Sequence, residues 1–111
     1  MLTSCYSWLN DDIKGCIPSS VTHLTFGRNF NRDIVGAIPN SVTHLTFGRN
    51  FNRNIKRAIP DSIVRLAFGA CFDQDIIGSI PSSTIHLILS KNYPKSKICD
   101  IPKTILHIDF I

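Results

Sequence analysis

The chain has 111 residues and a mass of 12.4 kDa, which suits one compact domain or one short repeat array. Its hydrophobic fraction of 43% and mean hydropathy of +0.09 exclude an intrinsically disordered chain, and no apolar run is long enough to span a membrane. The net charge of +4 permits an acidic partner without requiring one.

The N-terminus and the cysteines bear on where the protein works. The first 8 residues contain neither a basic segment nor a long apolar stretch, so we expect no signal peptide. The four cysteines, Cys5, Cys16, Cys71 and Cys99, lack the spacing of metal knuckles or redox pairs. We therefore expect free, buried or half-buried thiols and a cytoplasmic location.

An internal repeat organises the chain. The dipeptide Ile-Pro begins at residues 17, 38, 59, 80 and 101, so every spacing is 21 residues. We treat residues 1–111 as a single array with a partial unit at each end and four complete units, numbered one to four, between them. The units are about 1–16, 17–37, 38–58, 59–79, 80–100 and 101–111. Units one and two share 17 of 21 residues.

Each unit carries apolar residues at the spacing of a leucine-rich repeat, L-x-x-L-x-L-x-x-N/C. In unit one these are Val21, Leu24 and Phe26, followed by Asn29. The later units hold, in the same positions, Val42, Leu45, Phe47 and Asn50, then Ile63, Leu66, Phe68 and Cys71, then Thr84, Leu87, Leu89 and Asn92. The alternating side chains predict one short strand per unit, and units stacked about 4.8 Å apart place these strands in one parallel sheet.

The pattern therefore predicts a mainly β fold. We expect a short, right-handed, leucine-rich-repeat-like solenoid with a parallel sheet on one face, irregular turns on the other and little helix. All seven Phe residues fall into two columns, which we expect to form an aromatic core: Phe26, Phe47, Phe68 and Phe110, then Phe30, Phe51 and Phe72. Gly27, Gly48 and Gly69 follow the strands, where a positive φ or a close neighbouring coil is expected. The Asn column is expected to lie inside the turns and to bond backbone groups of its own and the next coil.

A second motif closes each coil. It consists of Phe30-Asn31 with Ile38-Pro39, Phe51-Asn52 with Ile59-Pro60, and Phe72-Asp73 with Ile80-Pro81. These residues resemble FNIP repeats, a relative of the leucine-rich repeat found mainly in social amoebae and in giant DNA viruses that infect amoebae. In that family the repeats often follow an F-box, which implies recruitment of substrates to a ubiquitin ligase. Only 16 residues precede the first Ile-Pro here, so we expect a bare recognition array. Unit four has Tyr93-Pro94 in place of the motif, where we expect a distorted coil.

The outward positions of the strands form the candidate binding surface. Solenoids commonly bind partners through an extended sheet face, so we predict a non-enzymatic protein–protein interaction module. The resemblance to repeats of giant DNA viruses implies that a protein of an infected host is among the candidate partners. The predicted contact residues are His23, Thr25, His44, Thr46, Arg65, Ala67, His86, Ile88, His107 and Asp109.

We predict no catalytic, cofactor or metal site, because the histidines repeat at one register with no carboxylate or thiolate in their column. Crowded imidazoles leave a pH-sensitive contact open as an alternative.

A structural or self-assembling role is the second functional prediction. The last segment contains an apolar edge strand with no evident polar cap, which predicts a homodimer formed by antiparallel pairing of that strand. The residues expected in this contact are Ile105, His107, Asp109, Phe110 and Ile111.

Basic residues form rows along the array. Residues 17–58 contain six Arg or Lys against one Asp, a local charge of +5. Arg28, Arg49 and Lys91 share one position of the repeat, and Arg32, Arg53 and Lys95 share another. These rows are either a solvated edge or a surface for an acidic protein or nucleic acid. Nucleic acid is disfavoured because the aromatic side chains that would stack on bases are committed to the core.

Overall fold

The computed structural model describes residues 2–5, 17–98 and 101–111, and of residues 2–5 it describes the backbone. These parts form one six-stranded parallel sheet whose strands follow one another in chain order. The strands are β1 Leu2–Cys5, β2 His23–Phe26, β3 His44–Thr46, β4 Arg65–Ala67, β5 His86–Leu89 and β6 His107–Phe110. The predicted mainly β, leucine-rich-repeat-like solenoid is confirmed.

Helix is almost absent from the described residues. A single turn of 3-10 helix, Lys95–Ile98, occurs in unit four, and no described helix is long and apolar enough to cross a membrane. The 3-10 turn follows Pro94, whose carbonyl oxygen accepts a hydrogen bond from the Lys97 N–H at 3.0 Å. The expected distortion of this coil at Tyr93-Pro94 is therefore confirmed.

The strands pair in the register of the 21-residue repeat. Leu24 lies opposite Leu45, Leu45 opposite Leu66, and Leu66 opposite Leu87. The hydrogen-bonded ladder continues beyond the strands, since the N–H of Asn50 donates to the carbonyl oxygen of Arg28 at 2.9 Å. Like residues therefore lie in rows along the solenoid axis.

The aromatic side chains form two stacked columns in the core. Phe26, Phe47 and Phe68 lie with ring centroids 5.2 and 5.3 Å apart. The second column is stacked at 5.9–6.1 Å and consists of Phe30, Phe51, Phe72 and Tyr93. These rings are at most 3% exposed, as predicted. Phe110 is the exception, because it is only partly buried in the edge strand β6.

The Asn column that includes Asn29 and Asn50 was expected inside the turns, bonded to backbone groups, and this expectation is wrong. Asn29 is exposed, and its Oδ1 accepts a hydrogen bond from Nδ2 of Asn50 at 3.1 Å, so the column bonds side chain to side chain. The bonds to the next coil come instead from the Asn of the second motif. Oδ1 of Asn31 accepts from the Asn52 N–H at 2.8 Å, and Oδ1 of Asn52 accepts from the Asp73 N–H at 3.1 Å. The Asn of the Phe-Asn pair thus satisfies the backbone donors between coils.

Close approach of the coils explains the glycines that follow the strands. A Cβ on Gly48 would lie 2.3 Å from the Gly27 carbonyl oxygen, and one on Gly69 would lie 2.4 Å from that of Gly48. Positive φ angles occur elsewhere in the repeat, at Gly36 and Gly78. Of the two expected causes, the neighbouring coil is therefore the one that applies.

Candidate functional site

Two columns of side chains point outward from the sheet, because side chains alternate along each strand. The first column runs His23, His44, Arg65, His86 and His107, and the second runs Thr25, Thr46, Ala67, Ile88 and Asp109. The parallel register places each residue beside its counterpart on the next strand. All ten residues predicted as partner contacts therefore lie on one face.

Two of these ten residues are not available to a partner. Ala67 is 7% exposed and Ile88 is 5% exposed, so the expectation that they form part of the surface is wrong. Ala67 and Ile88 are neighbours in the column, with Thr46 next to Ala67 and Asp109 next to Ile88. Ala67 carries only a Cβ and lies between the longer side chains of Thr46 and Ile88, which shield it from solvent. The second column therefore reaches solvent at its two ends rather than along its whole length.

His23 and His44 form a stacked pair. Their ring centroids lie 4.1 Å apart and their planes differ by 11°. Each Nδ1 lies beside the hydroxyl of the preceding Thr, at 3.0 Å from Thr22 Oγ1 and 2.9 Å from Thr43 Oγ1. Among the described residues, none bonds to Nε2 of either ring.

The surroundings of His44 disfavour its charged form. Burial lowers the pKa of His44 below its ordinary value of 6.5, and the neighbouring charges of His23 and Arg65 lower this pKa further. The imidazole is therefore neutral at neutral pH. The stacked pair offers nitrogen atoms flanked by the Arg65 guanidinium.

The C-terminal half of the column is organised differently. His86 Nε2 lies 2.8 Å from Asp109 Oδ2, and the His107 ring meets the His86 ring edge-on at a centroid distance of 5.9 Å. The sequence reasoning missed this pair because Asp109 occupies the other outward column. The pair could have been predicted from diagonal neighbours in the sheet, because a side chain on one strand also reaches the residue two positions beyond its counterpart on the next strand. The Nε2 atom of His86, unlike those of His23 and His44, is therefore already paired with a described residue, Asp109.

The arrangement of these side chains decides which ligands the strand face can hold. In the parts of the chain that the structure describes, no three His, Cys or Asp side chains converge as metal ligands. The His86–Asp109 pair lies on an open sheet surface, with the Asp109 side chain 58% exposed. The arrangement can donate and accept hydrogen bonds across a flat contact.

The residues predicted for self-association lie at the β6 edge. Ile105 and Phe110 pack partly against the core, and Lys95 Nζ lies 5.2 Å from the Phe110 ring centroid. Ile111 is 76% exposed. Leu106, which was not predicted as part of this contact, is 70% exposed. The His107 N–H donates to the carbonyl oxygen of Ile85, just before β5, and the Ile111 N–H donates to that of Leu89, the last residue of β5. The backbone groups of the alternate residues Ile108 and Phe110 therefore face the open side.

Cys71 is the cysteine whose side chain the structure describes. It is exposed, with Sγ 3.9 Å from Asn50 Oδ1. The expectation of a buried or half-buried thiol is wrong for this residue, because the Asn column that it joins lies on the outside of the turns. Cys16, Cys99 and the side chain of Cys5 lie outside the described residues.

Comparison with known proteins bears on the family. The FNIP repeat family model matches residues 10–50, 34–71 and 51–92, so the matches run without a gap from residue 10 to residue 92. No curated protein matches the sequence. Among solved structures, the fold is similar to the crystal structure of CroV588, described as a novel circular LRR protein structure, from a giant virus. The match has a TM-score of 0.83 and 35% identity, and covers 96% of this chain but 16% of the viral one. The chain belongs to the FNIP repeat family.

Proposed function

We propose that this chain is a non-enzymatic module that binds a protein partner through the outer face of its parallel sheet. The observation that carries the proposal is the stacked His23–His44 pair beside Arg65, whose Nε2 atoms have no partner in the described part of the chain. Exposed polar groups held in fixed register by a rigid sheet suit a contact with another protein surface.

The repetition itself supports a binding role over a catalytic one. A catalytic site brings unlike groups from different elements to one point. The outward columns here instead repeat similar groups along an axis, at the spacing of neighbouring strands, about 4.8 Å. FNIP and leucine-rich repeats are typically interaction modules, and this chain shares their architecture.

The likeness to a giant-virus protein supports a partner in an infected host cell. In that setting the chain would act in the host cytoplasm and bind a host protein. Because the chain spans 16% of the viral protein's length, this proposal concerns the strand face of the array alone.

The test is a pull-down from host-cell lysate with the wild type beside a His23→Ala, His44→Ala, His86→Ala variant. The matched control replaces Asp61, Ser82 and Lys103, which are exposed residues outside the strands, with Ala. We expect proteins that bind the wild type and the control to be lost from the histidine variant. The same proteins on all three baits would rule out the strand face as the binding surface.

A second candidate function is self-assembly through β6. The observation that favours it is the exposure of Leu106 and Ile111 beside an edge with unpaired backbone groups on Ile108 and Phe110. Two copies would pair their β6 strands antiparallel about a two-fold axis. Light scattering should then show a dimer that Ile111→Lys converts to a monomer, whereas a concentration-independent wild-type monomer would eliminate this role.

A further inference from the structure

Four exposed cations lie on the segments that follow β2 and β3. We name Arg28, Arg49, Arg53 and Lys56 the basic flank. Arg28 and Arg49 are neighbours on adjacent coils, because the Asn50 N–H bonds to the Arg28 carbonyl oxygen at 2.9 Å and so extends the repeat register through the turn. The flank belongs to residues 17–58, which carry a local charge of +5.

The described part of the chain does not neutralise these cations. None of these four cations forms an ion pair with a described carboxylate, and the ion pair His86–Asp109 lies on the strand face in the C-terminal half of the array. Asp33 is the single carboxylate of units one and two, and its Oδ1 accepts the Val35 N–H at 3.1 Å. Arg28 and Arg49 therefore lie on adjacent coils, whose spacing is about 4.8 Å, with no ion pair to a described carboxylate, and an anionic partner would reduce the repulsion between them.

The flank is also partly preorganised. Arg53 Nε donates to the Asn31 carbonyl oxygen at 3.0 Å, which fixes the plane of the guanidinium. Arg53 and Lys56 line a cleft of about 380 Å³ together with Asp33, Val35 and Asn54. The Val35 side chain is 40% exposed and gives the cleft an apolar wall. A guanidinium held in one orientation favours bidentate pairing with a planar carboxylate.

The length and composition of the flank decide between the two anionic partners. The cation rows are interrupted in unit three by Ala70 and Gln74, and Asp73 and Asp75 flank Gln74. The flank therefore spans two coils, about 5 Å between neighbours, which is too short to follow a nucleic-acid backbone. Phe30 and Phe51 are fully buried and offer no ring to a base.

From the uncompensated Arg row, the oriented Arg53 and the two-coil extent, we infer that the basic flank is a second interaction surface that binds an acidic segment of a protein. The segment places successive carboxylates against Arg28 and Arg49 and one carboxylate in the Arg53–Lys56 cleft. This surface is separate from the strand face, so it does not depend on the function proposed above.

The experiment measures fluorescence anisotropy with a labelled Glu-rich peptide and with single- and double-stranded DNA of matched charge. We compare the wild type with Arg28→Glu, Arg49→Glu. The control, Lys91→Glu, Lys103→Glu, makes the same change of charge at exposed sites outside the flank. We expect the flank variant to weaken peptide binding by about tenfold or more and the control by less than about twofold.

A gain-of-binding variant guards against a folding artefact. Ala70 is exposed and interrupts the Arg row, so Ala70→Arg extends the row into unit three and should tighten peptide binding by a few fold. The strand-face histidine variant should bind the peptide like the wild type. Equal loss in the flank variant and the control, tighter binding of DNA than of peptide, or no peptide binding at low salt would each overturn the inference.

Discussion

One backbone position in the repeat requires a left-handed conformation in three successive coils. Gly36 and Gly78 have φ of 74°, and the residue between them in the column is Arg57, with φ of 61°. Units one and two differ at few positions, and this is one of them. In a residue with a Cβ, this conformation lowers the free energy of unfolding by about 1–2 kcal/mol, a cost that glycine does not have.

We therefore expect Arg57→Gly to stabilise the protein. Relief of the left-handed strain exceeds the entropy that a new glycine adds to the unfolded chain, so the free energy of unfolding should rise by roughly 0.5–1 kcal/mol. Urea denaturation followed by circular dichroism measures the change. Arg57→Ala, which removes the charge and keeps the Cβ, is the control and should not give this gain. A less stable glycine variant would contradict the expectation.

His44 should make stability depend on pH. Its pKa is lowered in the folded protein by burial, His23 and Arg65, so below its ordinary value of 6.5 the unfolded chain binds the proton more readily. The stability that neutral His44 contributes to the folded protein is therefore fully present above pH 6.5. It is lost as the pH falls from 6.5 toward the lower pKa of His44 in the folded protein. Urea denaturation between about pH 7.5 and 5 should show a smaller loss of stability for His44→Gln than for the wild type. Parallel curves would contradict this role.

At the scale of the coil, the contact between successive turns sets what a position tolerates. Gly48 and Gly78 are both glycines of the repeat, but the first is crowded and the second is not. A Cβ on Gly48 would lie 2.3 Å from a backbone oxygen, which cannot move away as a flexible side chain can. Gly78 has φ of +74° and no atom within 4 Å of the added Cβ.

Gly48→Ala should therefore destabilise the protein more than Gly78→Ala. The first substitution forces adjacent coils apart and should cost roughly 1–3 kcal/mol or more, whereas the second adds only backbone strain of about 1 kcal/mol. Thermal or urea unfolding of the two variants provides the comparison. Equal losses would mean that the coils separate at the glycine column without cost.

The period of the sequence was sufficient to predict the columns and the sheet, because stacking at a fixed register follows from the repeat alone. It could not predict which Asn bonds the next coil, since Asn29 and Asn31 differ in orientation rather than in spacing. It also missed the burial of Ala67 and Ile88 and the His86–Asp109 pair. These depend on the sizes and reach of side chains in neighbouring columns, which a pattern within one column does not contain.

Departures from the repeat are compensated by local hydrogen bonds. Thr84 occupies the buried column of Val21, Val42 and Ile63, and its hydroxyl donates to the Ile63 carbonyl oxygen at 2.9 Å. Tyr93 ends the second aromatic column, and its hydroxyl donates to the Gln74 carbonyl oxygen at 2.7 Å. Burial, with Asp75 and Asp73 nearby, raises the pKa of Tyr93 to about 12, so this hydroxyl keeps its proton. Unit four therefore remains attached to the array despite its distorted coil.

At the scale of the whole molecule, the described residues form a linear stack in which each strand pairs only with those before and after it. The principal extents of 34 × 24 × 21 Å reflect this elongation. In such an array, stability is the sum of unit stabilities and nearest-neighbour contacts. A change in a central unit therefore affects contacts on both sides, whereas a change in unit four affects mainly the C-terminal part.

Phe51→Ala and Tyr93→Phe should separate these two cases. Phe51 is fully buried and stacks at 6.1 Å on both Phe30 and Phe72, so its truncation should cost about 3–5 kcal/mol and lower amide protection throughout units one to three. Tyr93→Phe keeps the ring and loses one hydrogen bond, so it should cost about 1 kcal/mol and lower protection in unit four alone. Hydrogen exchange with mass spectrometry measures both. Uniform loss of protection in the Tyr93 variant would show that the array unfolds as one cooperative unit rather than coil by coil.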